Sequence, residues 1–266
     1  MADLPTIHSL WIGSHLGRIG AACLASFVAN GHRVILHAYE RPEDLPDGVE
    51  LMDANATIPR HQVIRHRKNG SYALFSDIFR YRLLRNGADV YADCDMFCLK
   101  PIERADYIFG FETDTQINGA ILALPPDSPL LQTLADISED PGFIPPWLKP
   151  RKRFTRRLAM KLRLHRGISA MGWGTIGPKA ITHYAKALGV EHLAQPMDVF
   201  YPVDSRRVTA LFDPDLTVAD ITTGRTRCVH LYNEMIRRHG LDQIPVSSPL
   251  GRLLTLHSGR NACRAS

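Results

Sequence analysis

The pattern that most narrows the fold is an alternation between short apolar runs and longer segments whose apolar residues recur at helical spacing. Residues 6–12 form an apolar run ending at Gly13, which suits a buried strand. Residues 19–29 carry apolar side chains at helical intervals and stop at Asn30-Gly31, a helix C-terminal signal. A Val/Ile/Leu-rich stretch at 33–39 predicts a second strand, the Pro-containing stretch 41–48 a loop, and 49–52 a short third strand. A helix is predicted over 71–85, with Gly87 just past its end. Residues 90–97 predict a strand stopped by Lys100-Pro101, 107–112 and 120–124 two more, and 129–137 a helix. Strands and helices alternating at this spacing predict an α/β domain with a mostly parallel sheet.

The second half is punctuated by Pro145-Pro146 and Pro150, with a basic helix expected over about 152–166 and another helix opened by Pro178 and ending near Gly189. No internal repeat or low-complexity tract divides the chain. One domain over 1–266 is expected, with 1–125 as its ligand-binding half and 126–266 as a more helical half. No apolar run is long enough to span a bilayer, and residues 1–6 lack a basic stretch leading into an apolar one, so a cytoplasmic protein is expected. The five cysteines are dispersed without Cys-x-x-Cys spacing, which predicts reduced, mostly buried thiols rather than a zinc site.

Asp93-Cys94-Asp95 is the first chemical signal. Read as part of the strand over 90–97, it places both carboxylates on one face and Cys94 in the sheet. Two hard oxygen ligands suit Mg²⁺ or Mn²⁺, which bind carboxylates together with phosphate oxygens and water. On the preceding helix Asp77 and Arg80 lie three residues apart and share a face, with Ser76 in the same turn. Arg80 offers a planar, permanently charged fork that suits a diphosphate. A solvated ion pair explains Asp77 and Arg80 alone but not their spacing from the Asp-x-Asp.

Ser76-Asp77-Ile78-Phe79-Arg80-Tyr81, then Leu84, Gly87 and Val90-Tyr91-Ala92-Asp93-Cys94-Asp95, resembles the core of the DXD "sugar-binding region" glycosyltransferases. That group includes Golgi α-mannosyltransferases, α-1,4-galactosyltransferases and the catalytic domains of large glucosylating toxins. Leu10-Trp11-Ile12-Gly13 is similar to their opening strand, so the resemblance covers residues 6–125. It implies a GT-A (Rossmann-like) fold and a retaining, metal-dependent hexosyltransferase of polysaccharide biosynthesis. The cofactor would be Mn²⁺ or Mg²⁺, the donor a nucleotide-sugar, UDP-sugar rather than GDP-sugar, and the acceptor a glycan or lipid-linked hydroxyl.

The resemblance also implies roles. Trp11 and Tyr91 would shape the nucleoside pocket, with Ser76 beside them; Asp77 and Arg80 would contact the donor sugar and its phosphates. Asp93 would reach the ribose and the metal's hydration shell, and Asp95 would ligate the metal. His230, in Cys228-Val229-His230-Leu231-Tyr232-Asn233, would be a further metal ligand, although Tyr232 and Met235 stand where the family commonly has Trp. Asn118, in Gln116-Ile117-Asn118-Gly119, would line the reacting sugar, with Glu112 and Asp114 upstream as further candidates. A local Asn-Gly turn explains that segment equally well.

Two rival readings stand beside this one. Gly13, Gly17 and Gly20 follow a strand and open a helix, but the dinucleotide fingerprint needs Gly-x-Gly-x-x-Gly and the first interval here is too long. The second is a non-catalytic protein with a degenerate nucleotide-sugar fold, bound to membrane or nucleic acid through its basic segment. The net charge of +5 is concentrated: no acidic residue lies between Asp140 and Glu191, while nine basic residues, from Lys149 to Arg166, cluster over 149–166. Phe154, Leu158 and Leu162 share one helical stripe there. That suits peripheral contact with an anionic membrane at the inner face as an accessory role, with no nucleic-acid partner expected.

Overall fold

The computed structural model describes residues 3–67, 69–162, 167–172, 174–238 and 243–258. It is an α/β structure whose six-stranded sheet has the order β3-β2-β1-β4-β7-β6. The strands are β1 (Ile7–Trp11), β2 (Val34–Ala38), β3 (Val49–Asp53), β4 (Val90–Ala92), β6 (Ile108–Thr113) and β7 (Gln116–Ala123). β1 pairs in parallel with β2 and β4, and β2 with β3, whereas β7 is antiparallel to both β4 and β6. The sheet is thus mostly parallel with β7 reversed, an arrangement compatible with a Rossmann-like fold. β2 is buried throughout, in keeping with its unbroken apolar run, while β3 is an edge strand exposed beyond Val49.

Helices cover both faces. α2 (Ala73–Arg85), α3 (Pro129–Glu139) and α5 (Pro178–Ala187) bury Phe79, Leu83, Leu131, Leu134 and Ile181 against Tyr91, Phe109, Ile117 and Leu122 of the sheet. α1 (Gly17–Ala29) packs Leu24 and Phe27 on the other face against Ile7, Val34, Leu36 and Ile121. The Leu16 and Gly17 N–H groups each donate to the Asp44 carboxylate at 2.7 Å, so an acid from the 41–48 loop caps the positive end of α1. Pro129 sits in the first turn of α3 behind Ser128, whose hydroxyl accepts from the Leu131 N–H.

The C-terminal half is mainly helical, as expected. It holds α4 (Pro150–Lys161), α6 (Met197–Phe200), α7 (Asn233–Arg238) and α8 (Pro249–Ser258). Its strand β8 (Cys228–His230) pairs antiparallel with β5 (Met96–Cys98) in a separate two-stranded sheet. α1 also buries Ile19 and Cys23 against Val208, Leu211, Leu250 and Leu253, tying the last helix to the first. Cys23, Cys94, Cys98 and Cys228 are free and buried, and Cys263 lies outside the described residues. The basic helix begins at Pro150 and ends at Lys161, and residues 163–166 of the predicted span lie outside the described residues. Among the described residues no helix is long and apolar enough to cross a membrane.

Two expectations are corrected. The strand predicted over 90–97 is two strands: β4 stops at Ala92, the chain turns, and β5 leaves for the sheet with β8. The Asp93 N–H makes the last bond to β7, at Ala120 O (2.7 Å), and the Met96 N–H closes the turn on Asp93 O (3.0 Å). Asp is disfavoured in a sheet interior, and the turn frees both carboxylates to reach cations outside the ladder. Asn118-Gly119 is likewise not a turn. It lies within β7, and the hairpin reverses at Asp114-Thr115.

Candidate active site

The strand order reverses between β1 and β4, so the carboxyl ends of those two strands flank the crevice where open α/β sheets usually hold ligands. Trp11 ends β1 and the Asp93-Cys94-Asp95 turn follows β4, so both belong to that edge. The two carboxylates do not share a direction. Asp93 turns toward α2, and Asp95 toward β8.

On α2, Ser76, Asp77 and Arg80 occupy one face. Arg80 is only 4% exposed. Its Nη2 donates to Asp93 Oδ1 and Oδ2 at 3.0 and 3.1 Å and to Ser76 Oγ at 3.1 Å, Nη1 donates to the Gly119 carbonyl, and Asp77 Oδ1 lies 3.5 Å away. The guanidinium sits over the Tyr91 ring, 4.7 Å from its centroid. The Tyr91 hydroxyl bonds with Ser76 Oγ (2.8 Å) and donates to Asp93 Oδ1 (3.2 Å). Five expected site residues, Ser76, Asp77, Arg80, Tyr91 and Asp93, therefore form one contiguous network.

Its electrostatics follow from one cation serving two carboxylates. Burial opposes the Arg80 charge, but Asp93 and Asp77 outweigh it and raise its pKa. Burial pushes Asp77 up to about 7 against the pull of Arg80, with Asp93 adding to the rise. Asp93 is also raised, by burial and by Asp95, despite Arg80. Near neutral pH Asp77 thus stands between its two protonation states.

The other half of the turn is held from the C-terminal segment. His230 Nε2 lies 3.2 Å from Asp95 Oδ1, the Asn233 N–H donates to Asp95 Oδ2 (3.0 Å), and the Leu231 N–H to Asp95 O (2.8 Å). Burial opposes ionisation of both partners, yet each favours the other's charge: Asp95 is held low and His230 is raised. The Asn233 contact is made by its backbone, not its side chain. The His230 ring packs against Tyr232 (4.0 Å between centroids) and Tyr201. Tyr232 adopts φ +53, a strained left-handed conformation, and its hydroxyl donates to Val203 O at 3.0 Å.

Asn118 is engaged within the wall: Nδ2 donates to Glu112 Oε2 (3.0 Å) and Oδ1 accepts the Ala120 N–H (2.8 Å). Buried Glu112 adds to the rise in the His230 pKa after Asp95, which places its charge beside the same region. Trp11 is half-buried, and its Nε1 is buried without a hydrogen-bond partner among the described residues. Tyr201 carried no recognisable signal in the sequence, since a single tyrosine has no period to mark it, and Tyr232 was marked only as standing where the resembled family commonly has Trp.

The donor set can be tested against the expected metal. No three His, Cys, Asp or Glu side chains among the described residues are grouped as a metal cage, and Asp93, Asp95 and His230 instead form two pairs, with Arg80 and with each other. Mg²⁺ and Mn²⁺ at nucleotide sites take one or two carboxylates and complete their shell with phosphate oxygens and water, so a carboxylate turn suffices. Asp93 and Asp95 are carboxylates of the kind such an ion takes when phosphate oxygens complete its shell. No protein-family model matches the chain, and neither does any curated protein.

Proposed function

We propose that the chain is a metal-dependent, retaining glycosyltransferase of GT-A type that moves a sugar from a nucleotide-sugar, a UDP-sugar in preference to a GDP-sugar, to a hydroxyl of a glycan or lipid-linked acceptor. The observation that carries the proposal is the turn at the crevice edge, whose two carboxylates are held from opposite sides by Arg80 and His230. A scaffold role would not require a buried arginine to serve two acids, nor a strained Tyr232 beside the histidine. The single reversed strand β7 in an otherwise parallel sheet is compatible with the GT-A arrangement.

Mn²⁺ or Mg²⁺, when bound, supplies positive charge to the departing nucleoside diphosphate. Asp95 would be its direct ligand and Asp93 would meet it through the hydration shell and the ribose. His230 orients Asp95 and, once deprotonated, would help to hold the ion. Arg80 fixes Asp93 and keeps a cationic field at the phosphates. Asp77, whose pKa burial raises to about 7, would in its protonated form donate a hydrogen bond to a hydroxyl of the donor sugar. The Trp11 indole, with an unpaired buried N–H, flanks the nucleobase and offers it a donor. Asn118, braced on Glu112, holds the wall beside the reacting sugar. With retention, the acceptor attacks from the leaving-group face, and the phosphate oxygen that leaves takes its proton.

Purified protein incubated with Mn²⁺ and a panel of UDP- and GDP-sugars should release nucleoside diphosphate slowly even with water as acceptor. An absence of metal-dependent release across the panel would sink the proposal.

A further inference from the structure

α4 is a basic helix that the body of the protein barely covers. None of its residues is buried. Its half-buried positions Arg153, Arg156, Ala159 and Met160 recur at helical spacing and mark the inward side, where the Met160 methyl approaches Gly142. The opposite side carries Phe154, Leu158 and, capping the helix, Leu162, which are 66%, 46% and 58% exposed. These large apolar side chains, four residues apart, form one stripe pointing away from the protein. Arg151, Arg157 and Lys161 are exposed alongside it.

Seven basic residues and no acidic one lie between Lys149 and Leu162, and none of the seven has an ion-pair partner among the described residues. A folded protein gains nothing in water from an outward stripe of Phe and Leu. It also leaves so many like charges uncompensated only at a cost in self-repulsion. Both features become favourable against one kind of surface, a bilayer with anionic headgroups. There the stripe enters the acyl boundary while the long basic side chains reach phosphates on either side. Nucleic acid answers the charge but offers no apolar phase along the stripe.

We infer that α4 is an interfacial helix that docks the protein on anionic lipid, with Phe154, Leu158 and Leu162 inserted and Arg151, Arg157 and Lys161 at the headgroups. The inference stands on the helix surface alone and goes beyond the reading of the sugar site. Docking would place the protein at a membrane surface through this helix.

The test uses the full chain with vesicles of phosphatidylcholine, with and without phosphatidylglycerol. Co-sedimentation with the anionic vesicles only is expected. The F154W variant should show a blue-shifted emission increment that brominated lipid quenches. F154S/L158S and, separately, R151Q/R157Q/K161Q should each weaken partitioning roughly tenfold or more, with thermal melts unchanged because these side chains are exposed. Equal binding to neutral vesicles, no quenching of F154W, unchanged partitioning of F154S/L158S, or tighter binding to a single-stranded oligonucleotide than to vesicles would each overturn the inference.

Discussion

Arg80 is the residue on which the site's electrostatics turn, because it is the cation shared by Asp77 and Asp93. Removing it strands two acids in a buried setting, a change that typically costs about 3–5 kcal/mol. Asp77 can relieve part of that by taking a proton, so Arg80→Ala should lower unfolding stability by about 3 kcal/mol in urea titrations. Arg80→Lys should recover some stability but little turnover, since a single ammonium cannot span both Asp93 oxygens and the Gly119 carbonyl. A second prediction concerns His37, whose Nε2 lies 3.0 Å from His8 Nδ1 and whose pKa burial lowers to about 4. The native state then binds fewer protons than the unfolded chain between pH 4 and 6.5, so the His37 contribution is complete above that window and is lost as pH falls through it. Its size is roughly 3 kcal/mol. Asp77, raised to about 7, acts with the opposite sign over much of the same range, so the measurement compares proteins: His37→Leu should destabilise less on acidification than the parent. Asp77 and Arg80 were legible in the sequence because helical spacing puts them on one face, whereas Tyr91 and its place beside Asp93 came from the family resemblance, and strand periodicity misplaced Asp95. The resemblance named Asp95 and His230 as ligands of one metal, but their direct contact was not legible, because no local period relates two segments so far apart in the chain.

At the scale of elements, the network depends on how closely α5 approaches α2. A Cβ on Gly177, at the start of α5, would sit 2.5 Å from Asp77 Oδ2 and 2.7 Å from Oδ1. Gly177→Ala must therefore shift the Asp77 carboxylate or the helix, at about 1–3 kcal/mol, and should lower turnover as well as the melting temperature. Gly119→Ala should be milder, since its Cβ meets chiefly the flexible tip of Ile181 at 2.6 Å, with Arg80 Nη1 at 3.3 Å. Paired thermal melts and turnover rates of the two variants check this ordering. α1 and α5 were read correctly because Asn30-Gly31 and Pro178 punctuate them. The break at Asp93 was missed because apolar residues on both sides, Val90-Tyr91-Ala92 and Met96-Phe97-Cys98, continue one pattern across a turn. Asn118-Gly119 misled for the converse reason. Its local turn preference loses to pairing within the sheet and to the Tyr201 hydroxyl, which donates to Asn118 O at 3.2 Å.

For the whole molecule, the two halves named from the sequence complete one another. Residues 1–125 alone would lack α3 and α5 over one face of the sheet and the Val208, Leu250 and Leu253 contacts that cover α1. Expressed alone, that fragment should show no cooperative unfolding transition by circular dichroism. It would also lose β8 and with it the Asp95 partner, so the site is a product of the full fold. That the alternating sheet could be read from the sequence, while the return of β8 to β5 could not, reflects the non-local character of that pairing. On the proposed function, the Asp93–Asp95 turn binds a nucleoside diphosphate through a divalent ion. The most direct measurement is isothermal titration of UDP into the protein with and without Mn²⁺, repeated on Asp95→Asn after its fold is checked by thermal melt. Binding is expected in the presence of Mn²⁺, weakening at least about tenfold when the metal is withheld or Asp95 is replaced. No binding of UDP or GDP with Mn²⁺, or binding indifferent to both the metal and Asp95, would contradict it.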